Sequence, residues 1–139
     1  MISYFYSRSN LISDGIKCVL ETEGHITYIN NTNPNKLIEL INVNNKIGLL
    51  NNIDYKRIEK LQEIEDIVVE LHANEGRSCL VIENLSLILN LVNLDYNLIN
   101  YQLIKIVKLI KLNKMKLIII DATKNKFISN IVDEDTLVG

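Results

Sequence analysis

Short apolar runs bounded by polar turns recur along the chain and predict the strands of one sheet. The runs lie at residues 2–6, 25–29, 46–50, 79–82 and 116–120, and the third is the weakest because a glycine interrupts it. The last two runs are almost unbroken stretches of aliphatic residues. Continuous rather than alternating apolar strands are typical of a parallel sheet covered on both faces.

Between these runs, apolar residues recur with the period of an α-helix. Helices are predicted from Leu11 to a stop at Gly24, over residues 35–41, from a cap at Asp54 to about residue 74, and over residues 96–113. The segment 121–139 is polar and then acidic, and no element is predicted there. Alternating strands and helices predict a single α/β domain over residues 1–139. The apolar stripe of the third helix consists of Ile58, Leu61, Ile64, Val68 and Leu71.

Composition narrows the class of protein. A hydrophobic content of 47% with 23% charged residues is ordinary for a globular domain, and a net charge of -2 gives no overall attraction to nucleic acid. Any such binding therefore requires a local basic patch. Lysines interrupt the apolar segment 98–112, and the amino terminus lacks the pattern of a signal peptide. We expect a soluble intracellular protein that does not cross a membrane.

Cysteine and histidine do not form a metal-binding pattern. Cys18 and Cys79 lie in apolar contexts and are expected to be buried thiols in a reducing compartment. His25 and His72 are isolated from the cysteines and from each other, so no zinc spacing exists. We predict no metal site.

The carboxyl ends of the predicted strands are where ligands bind in parallel sheets. These ends hold residues 7–10, 30–33, 83–86 and 121–124, and Glu83 is placed like a magnesium ligand of a nucleotide-binding sheet. However, the first loop, YSRSNLISDG, has no glycine before its helix and no lysine followed by Ser or Thr, so it does not match a phosphate-binding loop. We therefore predict no catalytic or cofactor-binding residue. Glu83 is interpreted as bound by neighbouring loop N–H groups, Asn84 and Ser86 as turn-forming residues, and Asp121 as part of a strand-to-loop turn.

Basic residues provide the remaining candidate chemistry. Lysines recur every three residues along the fourth predicted helix, and they form either a solvated stripe or contacts to a phosphate backbone. Lysines beyond the last strand are the better candidates, because loops at that edge face ligands. The predicted DNA-binding set is Arg8, Lys105, Lys108, Lys111, Lys124 and Lys126.

Apolar surface in excess of what one small sheet can bury is expected in two places. One is the wide apolar face of the helix at 96–113, and the other is the cluster Tyr4, Phe5 and Tyr6. Excess apolar surface indicates a partner subunit.

Taken in order, the segments ISYFYSRSNLISDGIKCVL, GHITYINNTNPNKLIEL, IDYKRIEKLQEIEDIVVEL, CLVIENLSLIL and KLIIIDATK resemble the core of the RecA-like recombinases and their paralogues. The first resembles the family's strand, phosphate loop and helix, and the second its next strand, with a Pro-containing turn. The third resembles the helix before the second phosphate-site strand, the fourth that strand itself, and the fifth the strand after it. The chain departs from the family in lacking the phosphate-loop Gly and Lys, and in having Glu83 where the family has Asp.

The resemblance implies a three-layer RecA-like core with a mainly parallel sheet, truncated and without a phosphate-binding loop. Among such proteins the chain looks most like the small subunits of the fungal Shu complex. This implies a nuclear, non-catalytic subunit that pairs with another RecA-like or recombinase-paralogue protein. The pair would support recombinase filament assembly on single-stranded or forked DNA in homologous recombination. The alternatives are a subunit of an Elongator-type RecA-like accessory ring acting in tRNA modification, and an NTPase with an unrecognised loop.

Overall fold

The computed structural model describes residues 2–6, 25–30, 39, 53–73, 79–90, 96–121 and 124–137. Within these ranges the chain forms an α/β fold around a parallel sheet, consistent with the predicted RecA-like core. The strands are β1 (Ile2–Tyr6), β2 (Ile26–Asn30), β3 (Ile53–Arg57), β4 (Cys79–Glu83), β5 (Lys116–Asp121) and β6 (Glu134–Leu137). The helices are α1 (Leu61–Ala73), α2 (Leu85–Asn90), α3 (Tyr96–Leu112) and α4 (Lys126–Ser129).

The six strands lie in the order β3-β2-β4-β5-β1-β6, and each of the five neighbouring pairs is parallel. All carboxyl ends therefore meet at one edge of the sheet. The central strands β2 and β4 are buried over their whole length, as the almost unbroken aliphatic sequence of β4 predicts for that strand. The edge strand β3 is more exposed and more polar.

Both faces of the sheet are buried, which fits the layered fold that the sequence predicts. On the first face, α1, α2 and α3 pack with Tyr4, Leu80 and Ile119 in one continuous core. The second face buries a smaller set of side chains: Ile26, Tyr28, Cys79, Val81, Ile118 and Ile120.

The start predicted for the third helix, which corresponds to α1, is wrong. Asp54 does not cap it; residues 53–57 are strand β3, and α1 starts at Leu61. The start is marked instead by the Glu63 carboxylate, which accepts hydrogen bonds from the backbone N–H groups of Glu59 and Lys60 at 2.7 and 2.8 Å. These bonds hold the pKa of Glu63 below its usual value. Ile58 is buried beyond the strand end, and its N–H donates to the carbonyl of Asn30.

Two further expectations are corrected at the carboxyl side of the chain. Residues 84–86, expected to be a turn, lead directly into α2, and the segment after residue 121 contains α4 and β6. The Asn125 side chain accepts hydrogen bonds from the N–H groups of Phe127 and Ile128 and so caps α4. The predicted helices at 11–24 and 35–41 and the predicted strand at 46–50 lie outside the described residues, apart from Glu39, which is helical.

Candidate functional site

The polar residues that end β4 and β5 lie at the carboxyl edge of the sheet but on opposite faces. Glu83 is in register with Ile120, so Asp121 extends one residue further along its strand. Because successive side chains of a strand alternate between faces, Glu83 lies on the second face and Asp121 on the first. The two carboxylates are therefore not arranged to share a cation. Among the residues that the structure describes, no group of three or more His, Cys, Asp or Glu side chains could hold a metal ion.

Asp121 is the centre of a buried hydrogen-bond network that joins three separate segments. Its Oδ2 accepts bonds from the Tyr4 hydroxyl and the Ser86 hydroxyl, both at 2.7 Å, and its Oδ1 accepts from the Ser86 backbone N–H at 3.1 Å. The Tyr4 hydroxyl in turn accepts from the Asn125 N–H at 3.0 Å. Asp121 is 2% exposed, so its charge is stabilised by these donors rather than by water.

The electrostatics of this network keep its proton donors protonated. Burial, with the Asp121 carboxylate alongside, raises the pKa of Tyr4 well above its usual value. Burial also raises the pKa of Asp121, while its hydrogen bonds from Ser86 and Tyr4 oppose that rise. The Tyr4 hydroxyl is therefore a permanent donor at any physiological pH, and it favours the charged form of Asp121.

Glu83 is held by a different donor from the one predicted. Its Oε2 accepts a hydrogen bond from the Tyr28 hydroxyl of the neighbouring strand. The nearby backbone N–H of Ser86, in the first turn of α2, binds Asp121 instead. Burial beside Glu83 raises the pKa of Tyr28 far above its usual value, so this hydroxyl too is a permanent donor. Asp121, likewise, has long-range partners rather than the local turn expected of it.

One geometric rule accounts for both carboxylates. Tyr4 is in register with Ile119 and binds Asp121, two residues further on; Tyr28 is in register with Val81 and binds Glu83, again two residues further on. On β3, Tyr55 is in register with Tyr28 and donates its hydroxyl to Asn30 at the end of β2. The rings of Tyr28 and Tyr55 are stacked, with centroids 6.3 Å apart. Each tyrosine thus leans diagonally toward the carboxyl edge and fixes the polar residue that ends the adjacent strand.

The roles of the tyrosine hydroxyls are not predicted from the sequence. A tyrosine in mid-strand followed two positions later by a polar strand-end residue, as in Tyr28 and Asn30, is the signal that could have drawn attention to them. Tyr4, predicted to contribute to excess apolar surface, is fully buried. His25, predicted to be isolated from the cysteines and from His72, has its Nε2 3.1 Å from an Asp54 carboxylate oxygen at the amino edge of the sheet, a contact that the sequence does not predict.

The predicted DNA-binding residues occupy three different places. Lys124 and Lys126 are exposed at the carboxyl edge, where the Lys124 ammonium lies 5.5 Å from the centroid of the Tyr6 ring. On α3, Lys105 pairs with Glu65 at 2.7 Å and Lys111 with Asp133 at 3.4 Å, on two different sides of the helix. Lys108 is exposed between them, and Arg8 lies outside the described residues.

No protein-family model matches the chain, and no curated protein matches it. Within the described ranges, no helix is both long enough and apolar enough to cross a membrane. Cys79 is a buried thiol, as predicted, whereas Cys18 lies outside the described residues.

Proposed function

We propose that this chain is a non-catalytic RecA-like subunit of homologous recombination. It pairs with another recombinase-paralogue protein in the nucleus and supports recombinase filament assembly on DNA. One observation carries the proposal: both carboxylates at the carboxyl edge of the sheet are bound by tyrosine hydroxyls, on opposite faces. This arrangement favours a structural role for the edge that in nucleotide-binding sheets holds magnesium.

The lysines at the same edge supply the nucleic-acid part of the proposal. Lys124 and Lys126 extend from the segment that follows β5, which is fixed through the hydrogen bond between Tyr4 and Asn125. A nucleic-acid backbone that crosses this edge would contact two cations through its phosphates. Such contacts do not depend on the base sequence. Lys105 and Lys111 would first have to leave their carboxylate partners, so they are weaker candidates than Lys108.

Two measurements test the proposal. Affinity purification of the chain from its native cells, followed by mass spectrometry, is expected to recover a recombinase paralogue at one-to-one stoichiometry. The isolated complex is expected to bind single-stranded or forked DNA with strong salt dependence. The double variant Lys124→Glu/Lys126→Glu should then reduce the slope of log affinity against log salt by about 0.7 for each phosphate that a lysine no longer neutralises.

The matched control is Lys56→Glu/Lys116→Glu, which changes the net charge equally at two exposed lysines away from that segment. Equal reductions of affinity in the two double variants would remove Lys124 and Lys126 from the site. A complex with no DNA affinity at low salt would contradict the DNA-binding part of the proposal. Recovery of a hexameric ring with tRNA affinity would favour the Elongator-type alternative, and a thermal shift with millimolar ATP would favour the NTPase.

A further inference from the structure

Most of the large hydrophobic side chains that are exposed in the described chain lie on α1 and α3. Tyr101 and Leu112 on α3 are 63% and 78% exposed, and Ile104 and Leu98 are exposed beside them. Val69 on α1 is 51% exposed. We call this surface, with the exposed charges between these side chains, the α1–α3 outer face. A concentration of exposed aromatic and aliphatic residues on two packed helices is typical of an interface.

On this face, α1 carries negative charges and α3 carries a positive charge. α1 presents the exposed carboxylates of Asp66 and Glu70, opposite its buried stripe of Leu61, Ile64 and Val68, and α3 presents the exposed ammonium of Lys108. Both helices return from the carboxyl edge to the amino edge of a parallel sheet, so they run in the same direction.

The ion pair between Lys105 and Glu65 sets the relative level of the two helices. Position 105 of α3 lies beside position 65 of α1. Because the two helices are parallel and rise equally per residue, position 108 lies at the same height along the helix axes as position 68. That height is between Asp66 and Glu70.

We propose that the α1–α3 outer face binds a second copy of this chain about a two-fold axis parallel to the two helices. Such an axis places α1 of each copy on α3 of the other. It also keeps every residue at the same height along the helix axes in both copies. Lys108 of one copy then lies between Asp66 and Glu70 of the other. By symmetry, the same contact forms a second time on the other side of the axis. The exposed apolar side chains of both copies are buried between these two charge contacts.

The same face excludes the other two-fold arrangement. An axis perpendicular to the helices would place α3 on α3 and α1 on α1, so Lys108 would not meet Asp66 or Glu70, and with the axis at the level of Lys108 lysine would meet lysine and carboxylate would meet carboxylate. Charge complementarity therefore selects the parallel axis and a second copy as the occupant. This inference does not depend on the proposed function.

Sedimentation equilibrium of the purified chain tests the inference, and a dimer at micromolar concentration is the expected result. Lys108→Glu and Asp66→Lys should each weaken dimerisation by at least about tenfold. The double variant Lys108→Glu/Asp66→Lys exchanges the charges of the Lys108–Asp66 pair and leaves Glu70 unchanged, so it should bind more tightly than either single variant without reaching the wild-type affinity. A wild-type chain that stays monomeric at about 100-fold higher concentration would overturn the proposal, as would a double variant weaker than both single ones.

An apolar variant tests the remainder of the face. Tyr101→Ser/Leu112→Ser should abolish the dimer, whereas Leu87→Ser and Lys116→Glu, at exposed positions away from the face, should leave the dissociation constant unchanged. All of these positions are exposed, so circular dichroism should show unchanged folding. Equal dissociation constants for Tyr101→Ser/Leu112→Ser and the wild type would refute this use of the surface.

Discussion

Replacing Tyr4 with Phe removes one oxygen atom from the network around Asp121 and leaves the packing of the ring intact. The deleted hydroxyl donates to the Asp121 carboxylate and accepts from the Asn125 N–H. In the variant, the two donors of Ser86 still bind Asp121, whereas the Asn125 N–H is deprived of its tyrosine acceptor. The change therefore removes the bonds to Asp121 and from Asn125 together, and leaves the Ser86 bonds of Asp121 in place.

The size of the effect follows from the kinds of bond removed. A hydrogen bond to a buried charged group contributes about 1.5–3 kcal/mol, and an unsatisfied N–H adds a further cost of about 1 kcal/mol. We expect the free energy of unfolding to fall by about 2.5–4 kcal/mol, which is a large part of the total of about 5–15 kcal/mol for a domain. Chemical denaturation at pH 7, with an unchanged denaturant dependence, measures it directly.

The pH dependence has a definite sign. Burial raises the pKa of Asp121, so the folded state binds its proton more tightly than the unfolded state does, and ionisation of Asp121 lowers stability as the pH rises. The Tyr4 hydroxyl opposes this by favouring the charged form. Its removal should therefore cost most at neutral pH, and the cost should shrink as the pH falls through the pKa of folded Asp121.

Tyr6→Phe is the matched control for Tyr4→Phe. Tyr6 lies on the same strand with its ring centroid 5.2 Å from that of Tyr4, and within the described ranges its hydroxyl makes no hydrogen bond. Its removal should change the free energy of unfolding by less than about 0.5 kcal/mol. The reasoning fails if the two variants are equally stable, or if the cost of Tyr4→Phe does not change between pH 7 and pH 4.

Three other side chains give independent predictions. Thr27→Val should stabilise the fold by about 1 kcal/mol in thermal unfolding, because the buried Thr27 hydroxyl has no hydrogen-bond partner among the described residues; a fall in stability would show that it has one. Tyr28→Phe should cost roughly 2–3 kcal/mol in denaturant titrations, and less in a Glu83→Gln background; equal costs in both would exclude that bond. The Ile2 N–H bond lowers the pKa of Asp133, so Asp133→Asn should reduce stability at pH 7, and the reduction should shrink as the pH falls through the lowered pKa of folded Asp133; a reduction that is the same at neutral and acidic pH would contradict this.

Much of the sheet could be predicted from the sequence, because its strands are short, largely apolar runs. Such runs are typical of strands that are buried on both faces of a sheet. The predicted bounds of β4 and β5 agree with the structure to within one residue. The boundary between β3 and α1 is misplaced because Ile58 fits the helical stripe of Leu61 and Ile64, although it is buried as the residue after a strand. The Glu63 carboxylate, three residues after Lys60, is the signal in the sequence for the true helix start.

The candidate site was harder to predict, because its bonds join residues far apart in the chain. Glu83 is correctly placed at a strand end, but its donor comes from β2 and could be found only through the strand order. The bond between Tyr4 and Asp121 joins residues 117 positions apart. Strands β1 and β5 are far apart in sequence, and no local pattern places them side by side.

The position of β1 has a consequence for how the chain folds. Its described neighbours in the sheet are β5 and β6, which both come from the last quarter of the sequence. During synthesis, β1 therefore has no strand to pair with until residues beyond 116 have emerged, whereas β2, β3 and β4 can already form a sheet among themselves. Since pairing of distant segments is slow, docking of β1 is expected to be the late kinetic step. Until then, the apolar residues of β1 are a target for chaperones.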